Sequence, residues 1–177
     1  LQGCRIEPHQ SGGVPAAELQ KLQAGAVDRP EAQKAYEKAL ELDPNFQVAH
    51  GTLAKVYDAQ GKHEKGLDER LKGAPPETAI QMKRIFASSG INGYWRYRLE
   101  QTLERAKREY VSPADIALYY ARLDEKDDAF AWLEKAMEER SILFNYLVAD
   151  ARFDNLRSDP RYAELLGRVG LQPLRPN

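Results

Sequence analysis

Four basic residues spaced along the chain are the first whose types and positions suggest a chemistry: Lys21, Lys55, Arg84 and Arg122. Ammonium and guanidinium groups in a row form charge-assisted hydrogen bonds with carboxylates. Such a row therefore predicts binding of an acidic peptide or of a C-terminal carboxylate. Lysine and arginine are also common on any helix surface, so an ordinary solvated face is the alternative interpretation.

A second candidate is the aromatic and basic run Tyr94-Trp95-Arg96-Tyr97-Arg98. Aromatic rings interleaved with arginines can stack on nucleic-acid bases. The alternative is that Trp95 and Leu99 pack between helices beside a solvated basic face that neighbouring glutamates dilute. We favour packing and expect no nucleic-acid partner.

Little in the chain indicates catalysis or metal binding. The histidines, His9, His50 and His63, have no metal-ligand spacing, and His50 is expected to pack. The acidic run at 124–128 lacks the glycine and the final glutamate of a calcium loop. There is no phosphate-binding glycine loop and no nucleophile elbow. The sequence predicts no catalytic residue, metal or cofactor, and thus a protein that is not an enzyme.

The composition is that of a chain able to bury a core in water. The 177 residues are 42% hydrophobic and 30% charged, with a net charge of −1. That charge gives no general attraction for nucleic acid or an anionic membrane, and no apolar run reaches the roughly 20 residues of a transmembrane helix. A single cysteine, Cys4, excludes an intrachain disulfide and favours a cytoplasmic location. The alternative is a lipid-anchored or periplasmic protein, if Cys4 belongs to a lipoprotein signal.

Small and apolar residues recur with a period of 34. Matching pairs are Leu19 and Leu53, Ala32 and Gly66, and Ala39 and Gly73. The interval from Leu53 to Ile116 is 63 residues, whereas two periods of 34 would be 68. Five residues are therefore missing, and we place the gap near residues 73–76. After a flexible segment at 1–12, the chain divides into units at about 13–46, 47–75, 76–109 and 110–142, followed by a C-terminal cap at 143–171.

Helix signals divide these units into pairs of helices. The predicted helices include 16–23, 31–42, 46–61 and 62–71, a short helix at 143–148 and a last helix at 160–169. Asp28 with Glu31 is typical of a capping box. Asn45, Ser112 and Asp159 are the other expected N-caps, the last two ahead of Pro113 and Pro160. Gly61 is expected to end a helix, and Gly90 falls at a turn position.

These residues resemble the tetratricopeptide repeat family, whose helix–turn–helix unit has 34 residues. The small positions are Ala32/Ala39, Gly66/Gly73 and Ala129/Ala136, and the family's tyrosine matches Tyr57, Phe86 and Tyr120. The sequence departs from the family pattern at Trp95 and Thr102, which stand at small positions, and at Arg70, which stands at an aromatic one. The resemblance implies an all-α, right-handed superhelical stack of antiparallel helix pairs.

The resemblance also implies a concave groove lined by the first helix of each pair. At groove positions, Lys21, Lys55 and Arg84 are equivalent, and Arg122 lies one turn beyond. The expected partner-binding residues are Lys21, Lys55, Asp58, Arg84, Ser88, Leu118 and Arg122. The function expected is that of a protein–protein interaction scaffold whose groove binds a protein or peptide segment. The sequence predicts no oligomeric state.

The segment 90–171 resembles the C-terminal repeats of large bacterial regulators that carry a kinase, winged-helix or cyclase domain. The motifs are Gly93-Tyr94-Trp95-Arg96, Tyr110-Val111-Ser112-Pro113, the run at 129–136 and the run at 154–162. An alternative function is therefore a regulatory or sensing module of a larger bacterial signalling protein or transcription regulator.

Overall fold

The computed structural model describes residues 30–139, 151–168 and 170. Within them the chain is all-α, as predicted, and contains no strand. The elements are α1 (Pro30–Leu42), α2 (Gln47–Ala59), α3 (His63–Arg70), α4 (Pro76–Ala106), α5 (Pro113–Arg122), α6 (Lys126–Glu138), a 3-10 helix (Ala151–Leu156) and α7 (Pro160–Arg168). We use unit two for α2 with α3, unit three for the two halves of α4, and unit four for α5 with α6.

Some predictions lie outside the described residues. These are the 1–12 segment, the helices at 16–23 and 143–148, and residues Cys4, Lys21, Asp28 and Val169. The boundaries proposed for the units and for the cap also stay a prediction.

Unit two depends on a close approach of its two helices. A Cβ atom added at Gly66 of α3 would lie 3.0 Å from the carbonyl oxygen of Ala54 and 2.8 Å from Oδ1 of Asp58, both in α2. A larger residue would therefore force the helices apart. This explains why a small residue stands at that position of the repeat.

Unit three is a helical hairpin closed by a single residue. Gly90 has φ 63° and ψ −163°, and it interrupts α4 at the predicted turn. Nε2 of Gln81 donates a hydrogen bond to the hydroxyl of Tyr97 at 3.0 Å. Sixteen residues of straight helix rise about 24 Å, so this contact requires the two halves of α4 to run antiparallel.

Core clusters link successive helices along the stack. Tyr36, Ala39, Ala49 and Leu53 join α1 to α2, and Leu67, Met82, Tyr94 and Trp95 join unit two to unit three. Leu99, Val111 and Ile116 join unit three to unit four. The buried core thus passes from each unit to the next, as in a repeat array.

The predicted helix caps have mixed outcomes. Asp159 caps α7, since its Oδ1 accepts a hydrogen bond from the backbone N–H of Arg161 at 3.0 Å. The prediction for Asn45 was wrong, because α2 begins after Phe46 and has no side-chain cap. Pro113 is the first residue of α5 as predicted, but the hydroxyl of Ser112 makes no capping hydrogen bond.

Candidate functional site

The first helices of units two and three each present an exposed stripe of side chains. On α2, Val48 is 47% exposed and lies two turns before the half-buried Lys55. On α4, Ile80 is 53% exposed and is followed one turn later by the exposed Arg84. Ser88 continues the same stripe. Spacings of three and four residues place such side chains on one side of a helix, so apolar and basic groups alternate along each helix. We call these two stripes together the open face.

Asp58, also on α2, is the centre of an ion-pair cluster. Its Oδ1 accepts from Nη1 of Arg70 at 3.2 Å, and its Oδ2 accepts from Nη2 of Arg70 and from Nη1 of Arg122 at 2.9 Å. Nδ1 of His63 lies 3.5 Å from Oδ1. The Asp58, Arg70 and Arg122 side chains are only 12%, 15% and 13% exposed. One carboxylate therefore joins units two and four across 64 residues.

Trp95 forms the floor of this cluster. Its ring is buried, and the guanidinium carbons of Arg70 and Arg122 lie 4.6 and 3.9 Å from the ring centroid. These are cation–π distances. Burial lowers the pKa of Arg122, and the nearby Asp58 carboxylate opposes that effect, so the guanidinium stays charged at neutral pH. Together Asp58, Arg70, Trp95 and Arg122 form what we call the Asp58 hub.

The hub occurs where the repeat is short. The second helix of unit two, α3, has 8 residues, whereas α1 and α6 have 13. The difference equals the five residues missing from the spacing of the sequence repeat. Arg70 and Trp95 are also two of the residues that depart from the family pattern. The hub was not predicted from the sequence. Two features of the sequence indicated it: the departures from the family pattern at Arg70 and Trp95, and the five residues missing from the repeat.

Unit four presents no open face. Leu118, Ala114 and Ala121 occupy its predicted groove positions, and each is at most 9% exposed. They belong to one core cluster with Phe153 and Leu156 of the 3-10 helix. The side-chain amide of Asn155 also donates to the carbonyl oxygen of Ala121 at 2.8 Å. The chain's own segment 151–156 thus covers the face that remains exposed in units two and three.

The model of the family described as Tetratricopeptide repeat matches residues 35–68. The match runs from the middle of α1 through α2 into α3. Residues 35–68 are thus a tetratricopeptide repeat. The predicted family and the predicted all-α helical repeat fold are both confirmed. No solved structure matches the chain.

Tetratricopeptide repeats generally mediate protein–protein interactions and are typically non-catalytic scaffolds. Among the described residues, no helix is long and apolar enough to cross a bilayer. In the same ranges, no group of three potential metal-ligating side chains occurs.

Six of the seven predicted partner-binding residues lie in the described part of the chain, and they fall into two groups; Lys21 is outside it. Lys55, Arg84 and Ser88 lie on the open face, and the Ser88 hydroxyl donates to the carbonyl oxygen of Ile85 at 3.0 Å. The other three are not on an open surface: Asp58 and Arg122 bind each other in the hub, and Leu118 lies in the core. The expected row of basic groove residues therefore does not extend to Arg122. Partner binding by the site residues stays a prediction.

His50 packs inside the tetratricopeptide repeat stack but also makes polar contacts. Its Nδ1 lies 2.6 Å from a carboxylate oxygen of Glu69, and its Nε2 lies 2.9 Å from the carbonyl oxygen of Pro44. It connects α3 to the turn before α2. The residue is 5% exposed, which agrees with the expected packing role.

Proposed function

We propose that the chain binds a partner protein through the open face, and that the bound segment is acidic and carries apolar side chains. The observation that supports this is the exposure of Val48 and Ile80 in line with Lys55 and Arg84 on consecutive first helices. Two large apolar side chains exposed beside two cations match a segment in which carboxylates and apolar residues alternate.

The Asp58 hub supports the proposed preference for an acidic partner. Asp58 lies on the same helix as Lys55, and an unpaired carboxylate there would repel an acidic partner. Its charge is compensated by Arg70 and Arg122 within the fold. The Asp58 carboxylate is therefore neutralised within the fold and would not oppose an acidic partner.

The stacked helices also support binding by limiting its entropic cost. The residues under the open face, Leu53, Val56 and Met82, are at most 5% exposed. A face held on such a packed core is formed before the partner arrives, so conformational freedom is lost mainly by the partner segment.

The test compares charge reversal on the open face with charge reversal beside it. The wild-type chain captures partners from native lysate, and the binding segment of the captured protein is then titrated by calorimetry. Arg84→Glu with Lys55→Glu should weaken binding at least about tenfold, because charge-assisted hydrogen bonds are replaced by repulsion. Lys83→Glu is the control, since Lys83 is on the same helix but pairs with Asp68 of α3 at 2.7 Å.

An unchanged affinity in the double variant would remove Lys55 and Arg84 from the binding site. Equal losses in the double variant and in Lys83→Glu would show a general charge effect without a defined face. Ile80→Ser tests the apolar part of the proposal and should also weaken binding, by about 1–2 kcal/mol.

The second candidate function is a regulatory or sensing module of a larger bacterial signalling protein or transcription regulator. It is favoured by the resemblance of residues 90–171 to the C-terminal repeats of such regulators. The full reading frame tests it directly. A kinase, winged-helix or cyclase domain upstream in the same frame would support it, and a gene that encodes only repeats would contradict it.

A further inference from the structure

Unit three contains a cleft that is separate from the open face. It has a volume of about 640 Å³ and lies between the antiparallel halves of α4. Thr78, Gln81 and Met82 line it from the first half, and Tyr97, Arg98 and Thr102 line it from the second half. We call it the unit-three cleft. Its volume lies within the range of sites that hold small molecules.

The short helix α3 explains why the cleft is uncovered. Met82 lines the cleft and also packs with Leu67 of α3, while Leu71, just beyond the end of α3, packs against the same cluster. A helix as long as α1 or α6 would continue five residues beyond Arg70, a further rise of about 7.5 Å. The missing turn therefore leaves exposed a part of unit three that a full-length helix would approach.

The charges at the cleft are predominantly positive once local pairs are considered. Glu104 and Glu109 line it, but Glu104 pairs with Lys107, and Glu109 lies 3.1 Å from Nε of Arg105. Arg98 contacts a neutral group, the hydroxyl of Tyr119, at 3.4 Å. Within the described ranges no ion pair involves Arg98 or Arg108, which also lines the cleft; the pKa of Glu104 is lowered first by its hydrogen bond with Lys107 and also by the charge of Arg108.

We propose that the unit-three cleft binds a small organic anion, in which a phosphate or carboxylate contacts Arg98 or Arg108 and an apolar body lies against Met82 and Tyr97. Guanidinium groups bind both kinds of anion with paired hydrogen bonds. The side-chain amides of Gln81 and Gln101, which line the same cleft, supply further donors. The cleft would make unit three a ligand-sensing element that is distinct from the partner-binding face.

The test is a titration of the ¹⁵N-labelled full chain followed by two-dimensional NMR. The probes are phenyl phosphate, isophthalate and inorganic phosphate. Phenyl phosphate and isophthalate distinguish a phosphate from a carboxylate ligand, and inorganic phosphate lacks the apolar body. We expect at least one organic probe to bind at least about tenfold more tightly than inorganic phosphate. The amide shifts should be confined to 78–82 and 97–109.

Variants locate the site. The double variant Arg98→Gln with Arg108→Gln should weaken binding of the organic probe at least about tenfold. Gln101→Trp, which adds bulk at an exposed lining position, should block binding of the probe without changing the circular dichroism spectrum. Arg84→Gln, on the open face, is the matched control and should leave the probe affinity unchanged.

Three outcomes would overturn the proposal: no shifts with either organic probe, equal binding of inorganic phosphate, or equal weakening by Arg84→Gln. Failure here leaves the partner-binding proposal intact, because that proposal is tested with Arg84 and Lys55 and a protein segment.

Discussion

Removing the charge of Asp58 should destabilise the fold far more than breaking an exposed ion pair. Asp58→Asn keeps the shape of the side chain but leaves Arg70 and Arg122 without their shared anion. All three side chains are 12–15% exposed, and breaking such a buried pair on one side costs about 3–5 kcal/mol. Contact of both guanidiniums with Trp95 persists and offsets part of this cost. We therefore expect a loss of about 3 kcal/mol.

The loss is measured by urea denaturation followed by circular dichroism at 222 nm. With an m-value of about 2 kcal/mol per molar urea, the midpoint should fall by about 1.5 M. Asp68→Asn is the control, because its pair with Lys83 is 48–58% exposed, and it should cost about 0–1 kcal/mol. A double-mutant cycle of Asp58→Asn with Arg122→Met should give an interaction energy of about 2 kcal/mol. A midpoint for Asp58→Asn no lower than that of Asp68→Asn would refute the reasoning.

Three further predictions concern backbone geometry and pH. Gly66→Ala should destabilise by about 1–3 kcal/mol in a thermal melt, because its Cβ would meet α2, whereas Gly51→Ala, with open space around it, should stabilise by about 0.5–1 kcal/mol. Gly90→Ala should cost about 1–3 kcal/mol in urea denaturation, since φ 63° with ψ −163° is strained for alanine; an unchanged midpoint would contradict this. Hydrogen bonds from Arg161 hold the pKa of Asp159 at about 2, against 3.8 ordinarily. Its stabilising effect should therefore be complete above pH 3.8 and lost as the pH falls towards 2; in a carboxyl NMR titration, Arg161→Gln should return that pKa towards 3.8.

The sequence was informative where local rules decide the structure. The helices predicted at 31–42 and 62–71 agree with α1 and α3 to within a residue, since proline and glycine mark their ends. Gly61 and Gly90 both have positive φ at the predicted turns. Lys55 and Arg84 were found at equivalent positions by counting residues alone, because a repeat places equivalent residues on equivalent faces.

Contacts between distant units could not be obtained by counting. The Asp58–Arg122 pair spans 64 residues, and a regular array would separate the first helices of units two and four by a whole unit. The repeat pattern places Arg122 in the same basic row as Lys55 because it gives only the position of a residue within its own helix. It contains no information on contacts between units. Arg70 at an aromatic position and Trp95 at a small one are two separate departures in the sequence, yet they contact each other in the structure. Paired departures from a repeat pattern therefore merit testing as contacts.

The burial of Leu118 beneath Phe153 and Leu156 gives the open face a direction. A partner segment that binds the open face, as proposed, would meet this packed segment at unit four. Within the described residues, the open face therefore ends where the 3-10 helix packs on unit four. We therefore expect the open face to favour acidic segments that are short enough to lie on two helices.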